Sequence, residues 1–341
     1  MALLSLCMPS NRSFARSYSS IETALIFAEK YGCRLIVSDN SEDSEKRDYW
    51  IDRSTHLIYL TPGACDVDSN VRNTLTHVDT PFLMMLGDDD EIFLRDDVMP
   101  IDLARLPANV VGVRPQTFLW TVPDGIRQSE SFEILSEGSE GRFREYNVKA
   151  MGNNTIYYSI IRSNALRDIL NIFTKHPAQG GYIDWAIVFT LLAVGKMVFD
   201  PAILFRYDWE RWSTVEGIEQ ANKSLFTAAG LTNVDDVFEP LLRFMDIHCF
   251  LQLASLEISP ADREAALNAN SRMCFCAFAQ RMEQKLDLMT NPMAPIILAV
   301  THMPDADVAF DVACDFLDAC DLGKARLGSD YRTYLERVQE A

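Results

Sequence analysis

The stretch FLMMLGDDDEIF, residues 82–93, decides the fold of this chain. Its first five residues form an apolar run with the length of a buried strand, and the run ends abruptly in Asp88–Asp90 and Glu91. Carboxylates packed so closely repel one another unless a positive group lies among them. The acids therefore either mark the point where a buried strand reaches water or hold a cation.

Strand-like and helix-like segments alternate through the first hundred residues. ALLSLCM, CRLIVSDNS, THLIYLTPG and PFLMML are typical of strands, and Ser19 with Glu22 fits a capping box at the start of a helix. This alternation indicates a parallel sheet covered by helices. Ligands bind such sheets at the carboxyl ends of the strands, so Pro9–Arg12, Asp39–Ser41 and Asp88–Asp90 are predicted to share one edge.

Composition limits the classes of partner. The 341 residues include 49 acidic and 31 basic side chains, which gives a net charge of −18. A surface this acidic does not suit the phosphate backbone of nucleic acid, so nucleic acid is not an expected partner. A small phosphorylated ligand stays compatible, because one metal ion or one local Arg can neutralise it.

No targeting or membrane segment is evident. The N-terminal stretch MALLSLCMPSNRS has no basic residue before its apolar part, and no apolar run reaches the roughly 20 residues that span a bilayer. The eight cysteines are scattered among apolar residues without zinc-site spacing, which is typical of reduced buried thiols. We therefore expect a cytoplasmic protein without a transmembrane segment.

The middle and the end of the chain have different patterns. The segment 124–150 is polar and rich in Gly and Ser, which predicts a long loop or flap that is mobile without ligand. Helical periodicity begins near residue 216, and Ser259 followed by Pro260 predicts a helix from there to about Met289. We expect an α/β domain over 1–215 and a helical region over 216–341.

Taken in order, MPSNRS, VSDNS, NVRN, FLMMLGDDDEI and GYIDWAIVFTLLAVGK resemble the motifs of nucleotide-sugar glycosyltransferases with the GT-A fold, close to glycosyltransferase family 2. The resemblance covers roughly residues 3–212 and leaves the helical tail unexplained. It implies that the first domain is a GT-A domain, with a Rossmann-like, mainly parallel sheet covered by helices, and that an α-helical region follows it.

The resemblance also implies roles for individual residues. Asp184, in YIDW, corresponds to the catalytic base of inverting members, and Asp39 corresponds to the acid that accepts a hydrogen bond from the nucleobase. The chain departs from the family pattern where Gly87 replaces the first Asp of the D-x-D motif and Ile183 replaces the Glu before the base. The implied donor-binding residues are Pro9, Ser10, Asn11, Arg12, Asp39, Arg72, Asp88 and Asp89, and the implied metal ligands are Asp88, Asp90 and Asp208.

The chemistry requires the same residue types. Mg²⁺ or Mn²⁺ takes carboxylate and phosphate oxygens as ligands and stabilises a departing diphosphate. A second carboxylate has to accept the proton of the acceptor hydroxyl, and the apolar surroundings of Asp184 are expected to raise its pKa. Alternatives stay open for three residues: Asp184 as a helix N-cap, Asp39 in an Asx turn, and Arg72 as the ion-pair partner of Asp66 or Asp68.

The sequence thus predicts a metal-dependent glycosyltransferase that moves a sugar from a nucleoside diphosphate to an acceptor hydroxyl with inversion. Two alternatives remain: a nucleotidyltransferase, against which the Gly-free loop MPSNRS counts, and a non-catalytic scaffold that binds a partner through its helical tail. The sugar, the base and the acceptor are not identified. A homo-oligomer formed through the helical tail is left open.

Overall fold

The computed structural model describes residues 2–173, 176–178, 183–234, 236–302 and 305–340. The chain forms two compact units. One consists of Met1–Leu135, Thr155–Asn171 and Gly195–Ser213, and is called the sheet unit here. The other consists of Ser136–Asn154, Ile172–Val194 and Thr214–Ala341, and is called the helical unit. The helical unit therefore draws two segments from within residues 1–215, and the division into 1–215 and 216–341 stays a prediction.

The strands of the sheet unit are β1 (Leu4–Ser10), β2 (Arg34–Asp39), β3 (Leu57–Leu60), β4 (Phe82–Met85), β5 (Glu91–Leu94), β6 (Val110–Thr121), β7 (Gly125–Glu130), β8 (Ile160–Arg162) and β9 (Lys196–Asp208). They form one mixed sheet in the order β3-β2-β1-β4-β8-β6-β9-β5, with β7 paired to β6. The four strands β3, β2, β1 and β4 run parallel, as the sequence predicts. β6 is parallel to β9, whereas β8, β5 and β7 pair antiparallel to their neighbours.

Helices cover this sheet and build the rest of the chain, so the predicted α/β class with a C-terminal helical region is confirmed. The helices of the sheet unit are α1 (Phe14–Tyr31), α2 (Ser44–Trp50), α3 (Val67–Leu75) and α5 (Ser163–Ile172, whose last residue is assigned to the helical unit). Those of the helical unit are α4 (Ser139–Ala150), α6 (Ile183–Val194), α7 (Val215–Ala228), α8 (Glu239–Leu251), α9 (Pro260–Asn270), α10 (Cys276–Met282), α11 (Leu286–Met289), α12 (Ala294–Val300), α13 (Ala306–Ala319) and α14 (Leu327–Glu340).

The core of the sheet unit follows from the alternation of its strands. Leu4, Leu6 and Met8 of β1 pack with the buried side of α1 and are fully buried. In the parallel register, Ser10 lies beside Asp39, and Cys7 lies beside Met85. The carboxyl ends of β1, β2 and β4 therefore meet at one edge, where the polar loops follow.

The start of α1 corrects one expectation. The helix begins at Phe14, so Ser19 lies inside it and is not its N-cap. Ser13 occupies the N-cap position without a side-chain hydrogen bond, and the N–H of Phe14 donates to Asp43 at 2.9 Å instead. A side chain distant in sequence thus takes the part that the capping box predicts for a local one.

The segment 124–150 is also different from its prediction as a mobile loop. It contains strand β7 and helix α4, and Phe143, Tyr146 and Ala150 of α4 are buried. The Arg142 side chain donates to the backbone oxygens of Leu192 and Ala193 in α6. Few apolar residues are enough here, because these three are buried and the buried guanidinium of Arg142 is bonded to carbonyls.

Helix α9 starts where the sequence indicates. Ser259 caps α9 by accepting a hydrogen bond from the N–H of Asp262 at 3.1 Å. The predicted continuous helix to Met289 is interrupted, because Ser271–Phe275 forms a π-helical turn and α10 ends at Met282. Across the described residues, no helix combines the length and the apolar composition that a bilayer crossing requires.

Candidate active site at the sheet edge

Asp88 fixes the loop that follows β1. Its Oδ2 accepts hydrogen bonds from Ser10 Oγ at 2.7 Å and from the backbone N–H groups of Asn11 and Arg12 at 3.0 Å each. Its Oδ1 accepts from Nε of Arg12 at 2.9 Å. Both carboxylate oxygens are therefore engaged within the protein, and the loop after β1 is held against the end of β4.

A buried lysine joins the same loop to the end of β2. Nζ of Lys46, in the first turn of α2, donates to Asp39 at 2.9 Å, to Ser10 Oγ at 2.6 Å and to the carbonyl of Arg12 at 2.9 Å. The other oxygen of Asp39 accepts from the hydroxyl of Tyr59 at 2.6 Å. Lys46 is fully buried and Asp39 nearly so, which makes this pair part of the fixed framework of the edge.

The N–H of Ser41 also donates to Asp39 at 3.1 Å, which is the Asx turn that the sequence left open. The nearby backbone of β1 contacts an amide network, because Asn70 donates to the carbonyl of Ser10 at 3.4 Å and accepts from Ser38 at 2.6 Å. Asp39 accepts from Lys46, Tyr59 and Ser41, and it has further acceptor capacity, since each carboxylate oxygen accepts more than one hydrogen bond.

Gly87 makes room for two carboxylates. A Cβ at this position would lie 2.6 Å from Oδ2 of Asp90 and 2.7 Å from Oδ1 of Asp89. The two oxygens thus flank one point beside the backbone of Gly87. The glycine in this place is required by the crowding of the acids, so the departure from the D-x-D pattern has a steric reason.

Asp90 carries the least compensated charge of this cluster. Its Oδ1 accepts from the backbone N–H of Asp208 at 2.9 Å, and its Oδ2 is buried without a hydrogen-bond partner. Desolvation raises the pKa of Asp90 well above its usual range, and the charges of Asp89 and Asp208 raise it further. A buried acceptor surrounded by other acids favours a bound proton or a bound cation.

Asp89 and Arg12 form the half-buried part of the cluster. Burial raises the pKa of Asp89, while the guanidinium of Arg12, which donates to Asp89, opposes that rise. Arg12 thereby pairs with Asp88 and Asp89 together. In this arrangement a protein cation neutralises two of the acids, and Asp90 is left without such a partner.

Three acids of the edge could contribute to a metal site, namely Asp89, Asp90 and Asp208. Within the residues that the structure describes, however, no group of three or more His, Cys, Asp or Glu side chains is arranged to hold a metal ion by itself. Mg²⁺ and Mn²⁺ are commonly bound by one or two carboxylates together with waters and substrate phosphates. The buried free oxygen of Asp90 fits that mode.

Arg72 and Pro9 have different surroundings. Arg72 lies in the last turn of α3 and forms an ion pair with Asp68 at 3.0 Å, one of the two partners that the sequence offered. Pro9 is the penultimate residue of β1, at the edge where the loop begins. Their predicted contacts with a donor stay predictions.

Asp184 belongs to the helical unit and is the second residue of α6. Burial raises its pKa, as expected, while hydrogen bonding to the Asn154 side chain and the Trp185 N–H and the charge of Arg243 lower it in part. Arg243 lies over the ring of Trp185 at 4.4 Å. Asp184 lies in the first turn of α6, where its carboxyl group accepts from the N–H of Trp185, so its roles as a base and as a helix cap both stay predictions.

Sequence reasoning missed Lys46 and Tyr59. The stretch SEDSEKRDYW that contains Lys46 has no strong apolar periodicity, so α2 was not predicted. The available signal was Asp43, which caps α2 by accepting from the N–H of Lys46 at 3.1 Å. A lysine three residues after a cap points back along the helix start, but its burial depends on tertiary contacts.

Comparisons with known proteins place this geometry in context. No protein-family model and no curated protein matches the sequence. Among solved structures, residues 1–349 of S. aureus TarS in complex with UDP match with a TM-score of 0.44 and 13% identity, covering 92% of this chain and 90% of that chain. The same fragment without UDP in its description matches with a TM-score of 0.42 and 12% identity, at the same coverage.

A third similar structure is GalNAc-T7 with UDP, GalNAc and Mn²⁺, with a TM-score of 0.43 and 10% identity. It covers 61% of this chain, and this chain covers 43% of it. At such identities and TM-scores these matches concern the fold at most, so the function has to be argued from the side chains of this chain.

Proposed function

We propose that this protein is a glycosyltransferase that uses a nucleotide-sugar donor and a divalent cation. The observation that carries the proposal is the free, buried Oδ2 of Asp90 beside Asp89 and Asp208, at the edge where the parallel strands β1, β2 and β4 end. A hard cation would supply the positive charge that this cluster lacks, and the oxygens of a diphosphate would complete its coordination. A sheet edge without a ligand would gain nothing from keeping such a carboxylate.

The donor is proposed to lie along the edge from β2 to β4. Asp39 would accept from the nucleobase with its remaining acceptor capacity, beyond the bonds to Lys46 and Tyr59. Arg12 would donate to the diphosphate, because its guanidinium already lies at the half-buried end of the acids. Asp88 would hold the loop Ser10–Arg12 in the shape that receives the donor.

Asp90 and Asp208 are proposed as the ligands of Mn²⁺ or Mg²⁺, with waters and donor phosphates completing its coordination. When bound, the ion supplies Lewis-acid stabilisation of the departing diphosphate. Asp88, which the resemblance implies as a third metal ligand, is a poorer candidate, because hydrogen bonds within the protein already engage both of its oxygens. The chain itself holds the leaving-group end through Arg12 and the acids.

Asp184 is proposed as the base that accepts the proton of the acceptor hydroxyl, which corresponds to transfer with inversion. Its raised pKa supports this assignment, because a base is most effective when its pKa approaches the working pH. Asn154, whose side chain lowers the pKa of Asp184 in part, accepts a hydrogen bond from the hydroxyl of Tyr146.

The decisive experiment is calorimetry of UDP and GDP binding with Mn²⁺, with Mg²⁺ and with EDTA. The proposal requires at least one nucleoside diphosphate to bind in the presence of a metal ion, and requires EDTA to weaken that binding. Binding of equal strength with EDTA would remove the metal from the proposal. Absence of binding by every nucleoside diphosphate would leave a non-catalytic scaffold as the better account.

A further inference from the structure

The side chain of Lys46 hydrogen-bonds at both strand ends described above, and its environment is unusual for a lysine. It is fully buried, and its ammonium group donates to Asp39, to Ser10 Oγ and to the carbonyl of Arg12. An ammonium group has three N–H donors, so these three acceptors satisfy it completely. Lysines are almost never buried unless they are paired in this way.

Two chains of contacts start from this ammonium group. On one side, Asp39 accepts from Lys46 and also from the hydroxyl of Tyr59. On the other side, Ser10 Oγ accepts from Lys46 at 2.6 Å and donates to Asp88 at 2.7 Å. One positive charge therefore links the carboxylate at the end of β2 with the carboxylate after β4, through a single hydroxyl.

The backbone of Lys46 is held in place as well. Asp43 accepts from the N–H of Lys46 at 3.1 Å and from the N–H of Phe14 at 2.9 Å, which ties the start of α2 to the start of α1. Lys46 is thus held at its backbone and at its tip. The entropy of ordering it is lost on folding and not on ligand binding, which is the condition for a pre-organised site.

We propose that Lys46 is a positioning residue of the donor site, which sets the geometry of the nucleoside end and the diphosphate end together. This inference rests on the proposed function. Lys46 does not touch the donor in this assignment. It acts through Asp39, the residue proposed to accept from the nucleobase, and through Ser10, whose hydroxyl donates to Asp88, the acceptor of the backbone N–H groups of Asn11 and Arg12.

The competing account is that Lys46 only stabilises the fold. Arg114 provides a matched control for that account, because it is a fully buried cation of the same sheet unit that donates to Glu130 at 2.5 Å and to Thr155 at 2.9 Å. Arg114 lies in β6, and its partners are not donor-site residues. Replacing either cation removes a buried charge pair, but only Lys46 is connected to Asp39 and Asp88.

The test is calorimetry of UDP and GDP with Mn²⁺ on the full chain, for the wild type, Lys46→Met and Arg114→Met, at a temperature where circular dichroism shows each variant folded. We expect Lys46→Met to bind the preferred nucleoside diphosphate roughly 10- to 100-fold more weakly, the effect of losing charged hydrogen bonds. Arg114→Met is expected to keep wild-type affinity although it lowers the melting temperature. Wild-type affinity in folded Lys46→Met, or an equal loss in both variants, would overturn the role of Lys46.

A second variant keeps the test decisive if Lys46→Met does not fold. Ser10→Ala removes only the hydroxyl between Lys46 and Asp88 and leaves the Lys46–Asp39 pair in place. It should weaken UDP or GDP binding more than binding of the corresponding nucleoside, and equal effects on both would reject the link. If the wild type binds no nucleoside diphosphate, the proposed function itself fails; wild-type binding with unaffected variants rejects only the positioning role.

Discussion

The backbone N–H of Asp208 donates to Oδ1 of Asp90 at 2.9 Å and joins two positions that are 118 residues apart. The bond connects the last residue of β9 with the acid that precedes β5. It satisfies one oxygen of Asp90 and leaves the other buried without a partner. Among the residues that the structure describes, no group within hydrogen-bond reach of this second oxygen balances its charge.

Asp90→Asn should stabilise the protein and remove its response to metal. The pKa of Asp90 is raised in the fold, so this acid costs stability once the pH exceeds the unfolded value of about 3.9, and the cost grows until the pH passes the folded value. At pH 7 we expect the free energy of unfolding to rise by roughly 1–3 kcal/mol in the variant. Thermal unfolding with and without Mn²⁺ measures both effects, because a bound ion should raise the melting temperature of the wild type only. A less stable Asn variant would contradict this account of the carboxylate.

Gly87→Ala should abolish metal-dependent donor binding without unfolding the protein. The added methyl group would meet Asp90 at 2.6 Å and Asp89 at 2.7 Å, so these side chains have to move from their places. Gly138→Ala is the control, because a Cβ there has no neighbour within 4 Å and the φ of Gly138 is −87°. Calorimetry with UDP or GDP and Mn²⁺ compares the two variants. Unchanged binding in Gly87→Ala would show that the positions of Asp89 and Asp90 do not matter.

Arg12→Met should change metal and donor affinity in opposite directions. Arg12 neutralises Asp88 and Asp89, so its removal makes the acidic cluster more negative and should tighten Mn²⁺ binding in the absence of nucleotide. The same change removes a charged donor to the diphosphate, which should weaken nucleotide binding by about tenfold or more. Arg34→Met, which breaks an exposed ion pair with Asp79, is the matched control and should alter neither affinity. Parallel loss of both affinities would argue against competition between Arg12 and the ion.

Asp184→Asn should leave donor binding and folding intact and lower the transfer rate by roughly 10²–10⁴-fold. The Asn side chain keeps the size of Asp but cannot accept a proton. Because burial raises the pKa of Asp184, kcat of the wild type should fall with decreasing pH over a range that lies above 3.8, the ordinary value. Donor hydrolysis serves as the assay until an acceptor is known. A variant with near wild-type turnover would move the search for the base to other acids.

The sequence was sufficient for the general order of the sheet edge. Parallel strands end together, so apolar runs followed by Ser10, Asp39 and Asp88 were enough to predict that these residues lie near one another. The contact of Ser10 with Asp88 at 2.7 Å agrees with that reasoning. This prediction uses only the apolar periodicity and the turn residues of each segment, and it does not depend on which side chains the residues contact.

The parts that the sequence could not provide depend on contacts between distant segments. The N-terminus of α1 is capped by Asp43 rather than by a nearby hydroxyl, so local capping rules misplaced its start. The polar composition of α4 predicts a loop, because its stability comes from Arg142 and a few fully buried side chains in contact with α6. The local sequence predicts an exposed Lys46, because its burial depends on contacts with Asp39 and Ser10 that form only in the folded protein.

The interleaving of the two units has a consequence for biosynthesis. α4 and α6 leave the ribosome before α8 and α9, the helices that they pack against in the helical unit. Phe143 and Phe189, whose rings meet edge to face at 4.9 Å, therefore have no complete cover until residues up to 270 have been translated. A nascent chain halted near residue 215 would present this aromatic surface to chaperones, whereas the finished chain encloses it.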